Sequence, residues 1–414
     1  MREMKDSGVE WIGEIPVDWK LNKIKHHFSI SSGTTPKSDE PEYWDGDIVW
    51  ITPADFKTDD VYVSDGHRNL SQEGYRVSSL QLVPAGSIIF SKRAPIGQVV
   101  INAIDLCTNQ GCLTAVLNDD SDVRFYRYVM SIATEEFELA GSGTTFKEIS
   151  ATSFGNILLP LTSKQEQTKC ADYLDVKSSK IDEIIEKQQA IIEKLKEYKL
   201  SIITEAVTSG INPDVEMKDS GSVWFGSIPI NWQMKRLKYV FHIQKDIAGE
   251  EGHTVLSITQ RGIIPKDFSN NEGQFANSYA NYQLVHKGDF AMNHMDLLTG
   301  WVDISKYEGV TSPDYRVFVL NDKNGMCPEY YLYMMQMCYS ARIFYGLGQG
   351  VSGMGRWRLQ ADKFLNFHIP IPPYDEQKII ADYITDKVNH IEVEIDKRNK
   401  LIEKYQEYKK SLIY

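Results

Sequence analysis

The chain has 414 residues, 42% of them hydrophobic and 25% charged, with a formal net charge of -12. This suits two or three globular domains, contains no apolar run near the ~20 residues a membrane span needs, and argues against a stand-alone non-specific DNA binder, which would carry a basic face. Cys107, Cys112, Cys170, Cys327 and Cys338 form no CxxC pair. Neither a disulfide framework nor a zinc site is expected, and a reducing cytoplasm is the expected location.

Residues 4–20, "MKDSGVEWIGEIPVDWK", have neither helical nor strand period and carry two tryptophans, a proline and glycines. "SSGTTPKSDEPEYW" (31–44) follows as a polar loop with Thr34, Thr35 and Lys37. "GDIVWIT" (46–52), "GSIIFSK" (86–92), "GQVVIN" (97–102) and "CLTAVLN" (112–118) are β-branched runs bounded by Gly, Asp and Asn, and predict strands. "SKRAPIGQ" (91–98) places Lys92 and Arg93 before a turn. Residues 122–140 predict one helix, and "GSGTTFKE" (141–148) adds Thr144, Thr145 and Lys147.

Ser163-Lys-Gln-Glu166 has the form of a capping box. Beyond it Leu174, Ile181, Ile185, Ile192, Leu195 and Ile202 make an apolar stripe at three-to-four spacing, closed by Gly210 and Pro213. Some 40 helical residues would span ~60 Å, a length that points to a coiled coil.

Residues 217–233 then read "MKDSGSVWFGSIPINWQ", a second copy of the opening stretch. Trp11, Gly13, Ile15, Pro16 and Trp19 recur as Trp224, Gly226, Ile228, Pro229 and Trp232. Strands are expected at 253–259, 288–293 and 314–321, and one helix at 329–346. "GQGVSG" (348–353) satisfies GxGxxG but follows a helix, so it is read as a surface loop and no cofactor is expected. "IPPY" (371–374) carries Ile371 where an amine-binding side chain would be needed, and its prolines are read as stopping a strand. From about residue 375, Ile384, Ile391, Ile395, Ile402 and Leu412 form a second stripe.

The chain is thus two half-units, each a shared frame with a private insert. Two amphipathic helices bury their stripes most cheaply on each other, and antiparallel packing would relate the inserts by an internal pseudo-twofold axis. No catalytic dyad or metal-ligand spacing is evident. Polar loop residues suit phosphate and base-edge contacts: Thr34, Thr35, Lys37, Lys92, Arg93, Thr144, Thr145 and Lys147 in the first insert, and Arg261, His294, Gln349, Ser352, Arg356 and Arg358 in the second.

This arrangement resembles the specificity subunit of type I restriction–modification systems. The resemblance covers essentially the whole chain. It is carried by "SGVEWIGEIPVDWK" with "SGSVWFGSIPINWQ", by the "SGTTP" loop, and by the Pro160–Gln167 and Pro370–Gln377 segments that lead into both long helices. It implies an α+β fold: two mixed β-rich target recognition domains separated by a pair of long antiparallel coiled-coil helices. The expected divisions are 1–160, 161–212, 213–370 and 371–414. It further implies a non-catalytic subunit that reads a bipartite asymmetric site on double-stranded DNA. Two adenine-methylating subunits and restriction/translocase subunits would be its partners. A coiled-coil scaffold, or a specificity module of another phage-defence system, is the alternative. Two departures stand out: "IQKDIAGEEGHT" (243–254) replaces the SGTTP loop in the second half, and Tyr414 matches Thr204, so no counterpart of "EAVTSG" (205–210) follows.

Overall fold

The computed structural model describes residues 2–56, 61–93, 95–143, 147–268, 276–350 and 357–413. By packing, the chain forms two compact units: Met1–Lys187 with Lys400–Tyr414, and Gln188–Asn399.

In the first unit the opening stretch makes a short hairpin, Met4–Asp6 against Glu14–Pro16. Lys20–Lys23 then pairs antiparallel with Leu158–Leu161, so the insert leaves and returns on adjacent strands. Between them a five-stranded sheet has the central order Phe28–Ser32, Cys112–Leu117, Ile88–Lys92, Ile96–Asn102. Alternation sends Phe28, Ile88, Phe90 and Leu113 into a core shared with Phe125, Met130, Phe137 and Phe154. The single helix expected at 122–140 is two helices, Val123–Ile132 and Thr134–Ala140, broken at Ala133. The break lets Phe137 reach Phe90, with ring centroids 4.7 Å apart.

The second unit repeats this plan. Met217–Asp219 pairs with Ser227–Pro229, and Gln233–Arg236 with His368–Ile371. Its main sheet runs Phe241–Gln244, Arg316–Leu320, Phe290–Met292, Val302–Ile304, the same order as the first. The helix expected at 329–346 is also split, into Pro328–Ser340 and Ile343–Leu347. Arg342, at φ 58°, makes the bend that buries Ile343 and Phe344. Following the two prolines, the last long helix starts at Tyr374.

The long helices are Lys164–Ser209 and Tyr374–Ser411. In the second unit Gln188 accepts from Arg398 at 2.7 Å and Lys199 donates to Glu392 at 2.6 Å. One partner number rises as the other falls, so these segments run antiparallel. In the first unit Lys409 donates to Asp182 at 2.6 Å. Of the expected stripe, Leu174, Ile181, Ile192, Ile202, Ile384, Ile391 and Ile402 are buried, and Ile185, Leu195, Ile395 and Leu412 are half-buried. The helix ends also serve their own unit: Ile203, Ala206, Val207, Ile380, Ile384 and Val388 join the second unit's main core. In the first unit, Trp11, Trp19, Phe125, Leu174, Leu412 and Ile413 are among the walls of an apolar cavity of about 270 Å3.

The repeated frame has a physical role. Trp19 Nε1 donates to Glu166 at 3.1 Å, and Trp232 Nε1 donates to Glu376 at 3.0 Å. Each glutamate is followed by a glutamine that ties the helix start to the insert. Gln167 Oε1 accepts from the Asp122 backbone N–H at 2.9 Å, and Gln377 Oε1 from that of Cys327 at 3.0 Å. The same two glutamine amides donate to the carbonyls of Thr162 and Pro372, both at 3.0 Å. The capping box is therefore half formed. Ser163 Oγ accepts from Glu166 N at 3.4 Å, whereas the Glu166 carboxylate turns to Trp19, Thr162 and Arg2. Three side-chain donors, one of them charged, hold it there instead of a single backbone N–H.

Candidate nucleic-acid interface

Gly33 lies against the Thr108 carbonyl so closely that an added Cβ would sit 2.0 Å from that oxygen. The loop it opens is pinned by two indoles: Trp50 Nε1 donates to Thr34 O at 3.1 Å, and Trp44 Nε1 to Lys37 O at 3.0 Å. Arg68 lies 3.7 Å from the Trp44 ring centroid. Thr34 and Lys37 are exposed on this fixed loop, and Thr35 bonds Gln110. Ser31, Thr34, Gln81, Thr108 and Thr114 help line a cavity of about 210 Å3, and among the described residues none of its walls is charged. Beside it Lys92 pairs with Glu148 at 2.8 Å, and Arg93 lies 3.7 Å from the same carboxylate. Lys147 is exposed; Thr144 and Thr145 lie outside the described residues.

The second unit carries a larger cavity. Lys245, Gln283, His294, Arg316, Arg358 and Gln360 help line a cavity of about 410 Å3. Arg316 is 4% exposed. Its guanidinium donates to the Leu359 carbonyl at 2.8 Å, meets Met292 Sδ at 3.9 Å, and lies 4.9 Å from the Phe364 ring centroid. Burial, with Arg358 nearby, lowers its pKa to about 10. His294 is buried with Nδ1 unpartnered, and burial reinforced by Arg316 and Arg358 drops its pKa to about 3, so it is neutral. Among the described residues, no carboxylate forms an ion pair with Arg316.

Strand register aligns the two places. Leu113 pairs with Ser32 and Phe90; Arg316 pairs with Met292, one residue before Val317, the partner of Gln244. Arg316 therefore stands where Leu113 stands, Met292 where Phe90 stands, and His294 where Lys92 stands. The Lys92 carbonyl accepts from Ile149 N at 3.1 Å, and the His294 carbonyl from Leu359 N at 3.0 Å. Arg358 thus occupies the position of Glu148. Where the first unit has a lysine–glutamate pair beside an apolar floor, the second has a neutral histidine between two arginines.

Of the other residues expected in the second insert, Arg261 is exposed in the turn joining Leu256–Thr259 to Gly262–Pro265. Gln349 is exposed and accepts from Gln360 at 2.8 Å; Arg358 is exposed on the strand that pairs with it. Ser352 and Arg356, with the second half of "GQGVSG", lie outside the described residues. Sequence reading missed Arg316, Lys245 and Gln283. For Arg316 a signal existed, a lone arginine inside the apolar run "YRVFVLN".

Comparison with known proteins agrees with the repeated plan. The profile of the family described as "Type I restriction modification DNA specificity domain" matches residues 16–198 and 229–404. The chain is 36% identical over 190 residues to the type I restriction enzyme MjaIX specificity subunit of Methanocaldococcus jannaschii. That alignment covers 44% of this chain and 43% of the relative, so the match spans less than half the relative's length. With the MjaVIII specificity subunit of the same organism it is 22% identical over 401 residues, 92% of this chain and 88% of that one. A solved chain from work titled as the structural basis of complex assembly and conformational transition of the type I R-M system shares the fold. Its TM-score is 0.69 at 12% identity, over 96% of this chain and 97% of that chain.

Proposed function

Since the chain belongs to the type I restriction–modification DNA specificity family, we propose that it is the non-catalytic subunit that reads DNA sequence for such a system. Residues 1–160 and 213–370 act as two recognition domains, each reading half of a split site on double-stranded DNA. Residues 161–212 and 371–414 are the long helices that connect them. Engaging both half-sites at once adds an effective-concentration gain that neither domain has alone.

One observation carries this reading: a single sheet order stands on a repeated Trp–Glu frame in both units, while the residues at matched sheet positions differ, Leu113 against Arg316 and Lys92 against His294. A common frame with unlike floors suits two readers of unlike sequences. The described candidates for contact are Thr34, Thr35, Lys37, Lys92, Arg93 and Lys147, and Arg261, His294, Gln349 and Arg358.

Two methyltransferase subunits would dock on the conserved helices. In support, Tyr173 and Tyr198 in the first helix recur as Tyr383 and Tyr408 in the second, and all four are exposed. Restriction/translocase subunits would join that core. Cationic partners also supply phosphate neutralisation that a chain of net charge -12 lacks. Among the described residues no helix is long and apolar enough to cross a membrane, and the five cysteines are free, which fits a cytoplasmic assembly.

The test is a methylome of cells expressing the chain with its modification subunit. A two-part adenine-methylated motif with a fixed spacer is expected. An unsplit motif, or none from a stable complex, sinks the reading, and absence of salt-dependent DNA affinity would favour a scaffold.

A further inference from the structure

Arg316 is a cation held in the interior without a carboxylate to balance it. Taking such an ion out of water is costly, and one carbonyl and one aromatic face compensate only in part. The register-equivalent Leu113 shows that the same sheet closes well with an aliphatic side chain there. Three further features face the same cavity. Arg358 and Lys245 are exposed at its rim, and the buried His294 has its Nδ1 unpartnered. Gln283 already spends its amide donors on the Ser312 and Tyr315 carbonyls at 2.9 and 2.6 Å. Asp246 hydrogen-bonds Gln244 and does not line the cavity. The site thus offers positive charge and N–H donors, and among the described residues no carboxylate is on its walls.

We propose that Arg316, Arg358 and Lys245 form an anion seat that takes one backbone phosphate of the DNA bound by the second recognition domain, a subsite resting on the DNA-recognition reading above. A compact tetrahedral anion fits better than a base edge. Arg316 is fixed on a sheet floor and cannot extend its fork into a groove, whereas three cations around one cavity suit a phosphate. Among the described residues the first unit has no equivalent seat, because Glu148 neutralises Lys92 and Arg93 at the register-matched positions.

The experiment uses the full chain assembled with its modification subunit and a duplex carrying the motif read from the methylome, with affinity measured across a potassium chloride series. Arg316→Leu copies the first unit's residue and should fold with an undiminished melting temperature. It should bind roughly ten- to a hundred-fold more weakly, with the slope of log K against log salt shallower by about 0.9 and the methylated motif unchanged. Arg358→Glu, at an exposed position, should weaken binding at least as much. Wild-type affinity and slope in both variants overturn the seat while leaving the recognition reading intact. A motif relaxed at one base in Arg316→Leu also overturns it, since that marks base reading. Failure of the wild-type complex to bind the duplex overturns both.

Discussion

Leu113 and Arg316 occupy one position of one sheet plan, and the contrast separates what the two units must share from what they may change. Around Leu113, Phe90 and Phe154 complete an apolar floor; around Arg316, Met292 and Phe364 stand in their places. The strands, their order and the backbone bonds at Lys92 and His294 survive the change. The frame is held elsewhere, by the Trp–Glu and glutamine bonds at the helix starts. Floor residues can therefore be replaced, even by a buried cation, without disturbing how the insert is seated.

The sharpest way to break this comparison is exchange. Replacing residues 31–160 with the matching insert of another family member should alter one half of the methylated motif and leave the other half and the spacer unchanged. A change in both halves on methylome sequencing would mean that the units do not read separately. Next in size is the frame itself. Trp232 is fully buried and Trp19 half-buried. Trp232→Ala should cost about 3–5 kcal/mol and Trp19→Ala about 1–2 kcal/mol, read as shifts of denaturant midpoint. Equal losses would refute the inequality of the two frames.

A smaller effect concerns Arg2, whose counterpart in the second half is Val215. The hydrogen bond from Arg2 holds the Glu166 carboxyl at about 2, helped by Thr162 and Trp19. A depressed folded value stabilises above the unfolded pKa of about 4.3 and is lost as pH falls toward 2. Melting temperatures of Glu166→Gln should fall less steeply than wild type over that window; parallel curves would remove Glu166 from the account. Smallest is Glu148→Gln. Freeing Lys92 and Arg93 should raise DNA affinity several-fold and steepen its salt dependence, with stability changing by less than about 1 kcal/mol. An unchanged salt slope would mean that the first rim does not meet phosphate.

Much of the fold was legible because it is periodic or repeated. The long helices begin and end within a few residues of the pattern that predicted them, and strands occur at the β-branched runs. The broken helices were not legible, because Ala133 and Arg342 bend the chain to satisfy burial of Phe137 and Phe344, a demand made by distant strands. The meaning of Glu166-Gln167 and Glu376-Gln377 was hidden for the same reason: their partners lie far away in sequence. Arg316 required cross-strand register. Aligning "CLTAVLN" with "YRVFVLN" on Asn118 and Asn321 would have set it against Leu113.

The make-up of the two units has a consequence for biosynthesis. Residues 188–399 are contiguous, so the second unit can close as soon as they leave the ribosome. The first unit cannot: Lys409, which bonds Asp182, and Leu412 and Ile413, which wall the cavity beside Trp11 and Trp19, are made last. At about 5–20 residues per second, roughly ten to forty seconds separate residue 187 from residue 400. For that interval the half of the protein made first waits with an apolar groove uncovered, a target for chaperones on a nascent chain whose later half is still being made.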